Sequence, residues 1–116
     1  MNVFLTKAAI KLEFKSHEFT LKTQFQIVKD FNLSGIHFNS QFSSKELEYD
    51  QIILEIESNL VKVIKFGETQ LLQLLYQIDI PQSRFLSLLG NPKMLGELSE
   101  LILKREAYKI YLRRRF

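Results

Sequence analysis

ETQLLQLLYQIDI, residues 68–80, decides how the rest of the chain is read. Leu71, Leu72, Leu74, Leu75, Tyr76 and Ile78 leave only Gln70, Gln73 and Gln77 as a polar seam. Wound at about 100° per residue, that seam is narrow and the remaining circumference is apolar, the pattern of a helix enclosed by other elements. A helix over 68–79 is therefore expected at the centre of an α-helical bundle.

Immediately upstream, Tyr49, Ile52, Ile53, Ile56, Leu60, Val63 and Ile64 form a single stripe at helical spacing, and Gly67 stands where such a helix stops. Ser43 followed by Glu46 has the spacing of a capping box, which predicts a helix over 44–66. Glu46, Glu48, Asp50, Glu55 and Glu57 come early and Lys62 and Lys65 late, in the sense that the helix macrodipole favours. Downstream, Pro81 pushes Ile80 out of helical geometry and suits the start of a short helix over 81–89, ended by Gly90. Asn91 and Pro92 repeat the start signal for a last helix over 92–115.

The amino-terminal third is less decided. Ile10, Leu12 and Phe14 alternate with Lys11, Glu13 and Lys15, the period of a half-buried strand, so residues 1–18 read as an extended arm or short strand. The alternation continues through Phe19, Leu21, Thr23, Phe25 and Ile27, which admits a hairpin turning near Ser16 and His17. Leu21, Phe25, Val28 and Phe31 compete at helical spacing, with a stop signal in residues 32–35, and a helix over 19–32 is the preferred reading. Residues 33–44, rich in Ser, Asn and Gly with Ile36, Phe38 and Phe42 as anchors, read as a connecting loop.

These elements define a mainly α-helical single domain over 1–116, a small bundle of four to five helices. Apolar residues make up 46% and charged residues 25%, a balance that supports a packed core rather than disorder. With no Cys, disulfides, thiolate metal sites and thiol catalysis are excluded, and a reducing, cytoplasmic setting is expected. The opening residues carry no signal-peptide pattern, and the longest apolar run falls short of the roughly 20 residues of a membrane span.

Charge is distributed unevenly. Between positions 104 and 115 six cations, Lys104, Arg105, Lys109, Arg113, Arg114 and Arg115, meet one acid, Glu106, a net of +5 that leaves the rest at −2 against a whole-chain +3. Cations in a last turn complement the helix dipole, which is sufficient reason for them. As functional residues, the same six are the candidate contacts for an anionic partner: an acidic protein surface or, as the alternative, a nucleic acid. Tyr108, Tyr111 and Phe116 are interleaved with them, as single-strand binding requires, although thirteen acids among sixteen cations make a poor overall footprint.

The last helix carries its main apolar face on Met94, Leu95, Leu98, Leu101, Ile102, Tyr108 and Leu112. A second line, Leu103, Ala107, Ile110 and Tyr111, lies off that face, and Leu47, Leu54 and Val61 form a similar extra line on the acidic helix. Either line is covered inside the bundle or marks a homodimer or partner interface. For catalysis the chain offers little. His17 and His37 are isolated, Glu97 and Glu100 read as a solvated face, and Gly35, Gly67, Gly90 and Gly96 are too scattered for a phosphate loop. The expectation is a non-enzymatic protein-interaction module, without cofactor or metal.

Overall fold

The longest helix of the chain, α6 (Met94–Arg115), is apolar on two sides, and both are used. Leu98, Leu101 and Ile102 are buried, and so are Leu103, Ala107 and Ile110 of the second line. This computed structural model describes residues 6–115, with Arg115 described by its backbone alone. Five helices precede α6: α1 (Lys7–Glu13), α2 (His17–Leu33), α3 (Tyr49–Phe66), α4 (Glu68–Ile78) and α5 (Gln82–Leu86). One turn of 3-10 helix, Ser40–Ser43, interrupts the connection from α2 to α3. Among the described residues there is no strand, and the all-α bundle is what the hydrophobic periodicity predicts.

Helix α6 packs against α1, α2, α3 and α4, whereas α4 is not enclosed. Leu71, Leu74, Leu75 and Ile78 are buried, but Tyr76 is 86% exposed. The organising helix is thus α6, because its two apolar faces engage elements on both sides while the apolar residues of α4 include one directed at solvent. The expected core is otherwise in place: Ile56, Leu60, Leu71, Leu75, Ile78, Leu98 and Ile102 belong to one cluster, with Ile53 half-buried against it.

Residues 7–13 are helical rather than extended. Thr6 Oγ1 accepts the Ala9 backbone N–H at 3.1 Å and starts α1 as an N-cap. A strand would bury Ile10, Leu12 and Phe14 together; instead Ile10 and Phe14, four apart, turn inward and Leu12 is 63% exposed. Three charge contacts fasten α1 to the bundle. Lys7 Nζ lies 3.1 Å from Glu100 Oε2, Lys11 sits over the Tyr49 ring, and Glu13 accepts from Arg114. Residues 1–5 of the expected arm lie outside the described residues.

Helix α2 begins where Ser16 Oγ accepts the Phe19 N–H and ends as the sequence predicts. Gly35, at φ +80°, closes it with Gly35 N–H donating to Asn32 O and Ile36 N–H to Phe31 O. That is a Schellman motif, and Ile36 packs inward after it. The same closure ends α4, with Asp79 in the left-handed conformation and Ile80 N–H donating to Leu75 O at 2.8 Å.

The start of α3 falls five residues later than the Ser43–Glu46 pair predicts, at Tyr49. Gln24 of α2 is the reason. Its buried amide donates to Phe42 O at 2.6 Å and Lys45 O at 2.9 Å, and its oxygen accepts the Leu47 N–H at 2.9 Å. These bonds hold residues 42–47 in an irregular path that satisfies backbone groups without a helix. Glu46 turns to His17, so that histidine has a partner after all, and Gln51 Oε1 caps the Glu48 N–H at 3.0 Å where α3 does begin. Phe38 fills the space beneath, 5.1 Å from the Phe31 ring and 4.4 Å from Phe42.

Candidate functional site

A concave surface lies along the seam of α2 and α6, a groove of about 470 Å³. Helix α2 supplies Leu21 and Phe25, and α6 supplies Ile110, Arg113 and Arg114. Phe25, which the sequence pattern assigns to the core, is 61% exposed. The face of α2 that turns inward carries Thr20, Thr23, Gln24, Ile27, Asp30 and Phe31 instead. Polar residues occupy part of the buried face, which rotates the helix away from the phase of its large apolar residues. Around the apolar floor of the groove stand Lys22, Arg113 and Arg114, with Glu18 as the acid.

A chain of polar contacts runs from the groove into the bundle. Arg113 Nη1 donates to Gln26 Oε1 at 2.7 Å, and Gln26 Nε2 donates to Asp30 Oδ1 at 3.1 Å. Lys109 Nζ donates to Asp30 Oδ2 at 3.0 Å and to the Gln77 carbonyl of α4 at 3.3 Å. It also lies 3.1 Å from Glu106 Oε1 as a charge contact. Gln26, Asp30 and Glu106 are all buried. None of the three is singled out as a functional residue by charge or motif, yet two of them carried a signal. Glu106 lies on the second apolar line, between Leu103 and Ile110, and Asp30 falls beside Ile27 and Phe31 on one face of α2.

The six carboxyl-terminal cations do not form one open patch. Arg105 donates to Asp79 and packs over the Tyr108 ring. Lys109 is taken by Asp30, and Arg114 donates to Glu13 while its guanidinium lies 5.2 Å from the Phe19 ring centre and 5.9 Å from that of Tyr111. Lys104 is half-buried, close enough to help hold the Glu100 carboxylate in its charged form. Arg113 and Arg114 line the groove, and the Arg115 side chain and Phe116 lie outside the described residues. Tyr108 and Tyr111 are half-buried, their rings 6.3 Å apart and 17° from parallel, with guanidinium groups already on them.

The extra apolar lines separate. Leu103 and Ile110 are buried within the chain, where the bundle's own helices cover them, and Tyr111 and Leu47 are half-buried against the core. Leu54 and Val61 stay on the surface of α3. Glu100, read from sequence as solvated, accepts from the Tyr49 hydroxyl at 3.2 Å beside Lys7. Burial pushes its carboxyl up, and Lys7 and Lys104 more than offset this, leaving it below the usual carboxylate range. Among the described residues no three His, Asp or Glu side chains are grouped so as to hold a metal ion, and no helix is long and apolar enough to cross a membrane.

The fold and groove define an all-α domain with a cation-rimmed apolar cleft. No protein-family model, no curated protein and no solved structure matches the chain.

Proposed function

We propose that this chain is a protein-interaction module, acting by binding rather than by catalysis, and that its α2–α6 groove receives an acidic segment of a partner protein carrying one apolar anchor. The observation that carries this reading is Phe25, exposed on the groove floor between Lys22 and the arginines of α6. An aromatic floor with a cationic rim matches a partner residue such as Phe or Leu flanked by Asp or Glu, since the anchor loses water while the acids meet opposite charge. Arginine suits the rim because its planar fork pairs with carboxylates in two bonds. An intracellular setting fits a chain without cysteine.

Nucleic acid is the weaker fit. Arg105 and Lys109, which do not line the groove, already face Asp79 and Asp30, which leaves fewer cations for phosphates. The test is fluorescence polarisation with labelled acidic peptides that carry a single Phe or Leu anchor, beside labelled single- and double-stranded oligonucleotides. Peptide binding by the native chain, weakened at least tenfold in Phe25→Gln with denaturation stability changed by less than about 1 kcal/mol, is the expected result. Oligonucleotide binding that falls steeply with salt while the peptides fail to bind would replace this function with the nucleic-acid one. Failure of every peptide and oligonucleotide would refute the groove as an anionic-partner site.

A further inference from the structure

Two carboxyl groups are buried where α2, α4 and α6 meet, and the Lys109 ammonium, its side chain 18% exposed, reaches them from the edge. The Asp30 side chain is 2% exposed and that of Glu106 is 0% exposed. Asp30 is well supplied, accepting from Gln26 and from Lys109. Glu106 is not: no well-aligned hydrogen bond reaches either of its oxygens, and Lys109 Nζ lies 3.1 Å from its Oε1 as an ion pair. The two carboxyls share one ammonium, Asp30 Oδ2 at 3.0 Å and Glu106 Oε1 at 3.1 Å from Lys109 Nζ. One ammonium balances one carboxylate, so ionising both acids would leave an uncompensated negative charge on buried carboxyls, which is strongly unfavourable.

We infer that Asp30 and Glu106 form a buried proton-binding site, in which one proton is held between the two carboxyls and, together with Lys109, fastens α2 to α6. With that proton in place the pair gains an O–H donor, the orphaned Glu106 oxygens join the network, and the cluster is electrically neutral. The charged groups acting on Glu106 are Asp30 from α2 and Lys109 from its own helix. Helix α4 faces the cluster with the Gln77 carbonyl, which Lys109 also satisfies, and Gln26 carries the link outward to Arg113. Burial first, then the hydrogen bond and charge of Asp30, push the Glu106 carboxyl well above its ordinary value of 4.5, and Lys109 offsets only part of this.

The sign of the pH effect follows. A carboxyl raised in the folded state binds its proton more tightly there than in the unfolded chain. Its contribution to stability is therefore full below the unfolded value near 4.5 and is lost as pH rises toward the folded value. Within that window the folded chain holds about one more proton than the unfolded one, and the folding constant falls by up to about tenfold per pH unit. The site thus weakens the α2–α6 seam as the medium becomes alkaline, the reverse of the acid sensitivity of an ordinary ion pair. This inference concerns the fold and stands whether or not the groove binds a peptide.

The test compares urea denaturation of the native chain and Glu106→Gln between about pH 5 and pH 9, a range that begins above the ordinary carboxylate values. Glutamine keeps the shape and carries a permanent N–H donor toward Asp30. The folding constant of the variant relative to the native chain is expected to climb with pH, by up to about tenfold per unit within the window. At the upper end the variant is the more stable of the two. Parallel profiles would overturn the inference. Carbon-13 NMR of the native chain gives a second reading that no substitution can confound. The Glu106 carboxyl carbon should titrate well above the ordinary glutamate value of 4.5, and titration at that value would equally overturn it.

Discussion

Gln24→Ala removes a side chain that belongs neither to the groove lining nor to the Asp30–Glu106–Lys109 network, yet it should be among the most damaging single changes in the molecule. Three backbone groups of the α2–α3 connection depend on this one amide: Phe42 O in a buried setting, and Lys45 O and Leu47 N–H in partly buried ones. Leaving a buried acceptor without its donor costs about 1–3 kcal/mol, and the two partly wetted groups about half as much each because water replaces the lost partner. Rotamer freedom regained by losing a long side chain returns roughly 1 kcal/mol. The expected net loss is about 1–5 kcal/mol by urea denaturation followed through helical circular dichroism. Gln24→Met, which fills the same space without hydrogen bonds, should lose nearly as much, which separates bonding from volume. Hydrogen exchange at the Leu47 amide should accelerate in both variants. A loss below about 1 kcal/mol in Gln24→Ala, with Leu47 exchange unchanged, would show that the connection keeps its path without Gln24 and would refute the explanation for the late start of α3.

Two further outcomes follow from the packing and the charges. Leu75→Ala, at a site 1% exposed on the inner face of α4, should cost about 2–5 kcal/mol in the same denaturation experiment, and a change under about 1 kcal/mol would remove α4 from the core. Glu100, lowered in the folded state once Lys7 outweighs its burial, contributes stability above pH 4.5 that is lost as pH falls through its folded value. Glu100→Gln should therefore make acid unfolding less steep below pH 4.5, and an unaltered acid limb would count against the Lys7–Glu100 tie.

Apolar periodicity was legible wherever buried faces are uniformly apolar. The stripe of α3 from Ile52 through Ile56 and Leu60 to Val63, the inner face of α4 and, on α6, Leu98, Leu101 and Ile102 of one line with Leu103, Ala107 and Ile110 of the other lie in the core, and the stop at Gly35 has the closure that its neighbours predict. The reading failed where polar groups are buried. Asp30 and Gln24 occupy the inward face of α2, so a count of large apolar residues rotates that helix and sends Phe25 to the wrong side. Tyr76 misleads in the opposite way, an apolar-looking residue that adds to the apolar circumference of α4 and faces solvent. At the amino terminus, spacing two and spacing four are both present in Ile10, Leu12 and Phe14, and the Thr6 cap together with the tertiary ties of Lys7, Lys11 and Glu13 selects between them. The arginines of the groove were visible as charge; the network that positions them was not, because Gln26, Asp30 and Glu106 find one another only across helices distant in sequence.

The helix on which α1, α2, α3 and α4 all pack is the one the ribosome makes last among them. During synthesis the earlier helices emerge with Ile27, Ile56, Leu60 and Leu75 uncovered, since residues 94–115 supply the surface that closes over them. At about 5–20 residues per second, the 22 residues of α6 alone take roughly one to four seconds to polymerise, far longer than local helix formation or collapse. Nascent chains of this protein therefore spend seconds as sticky, half-built bundles, and their yield in a cell depends on what shields them until the final helix arrives.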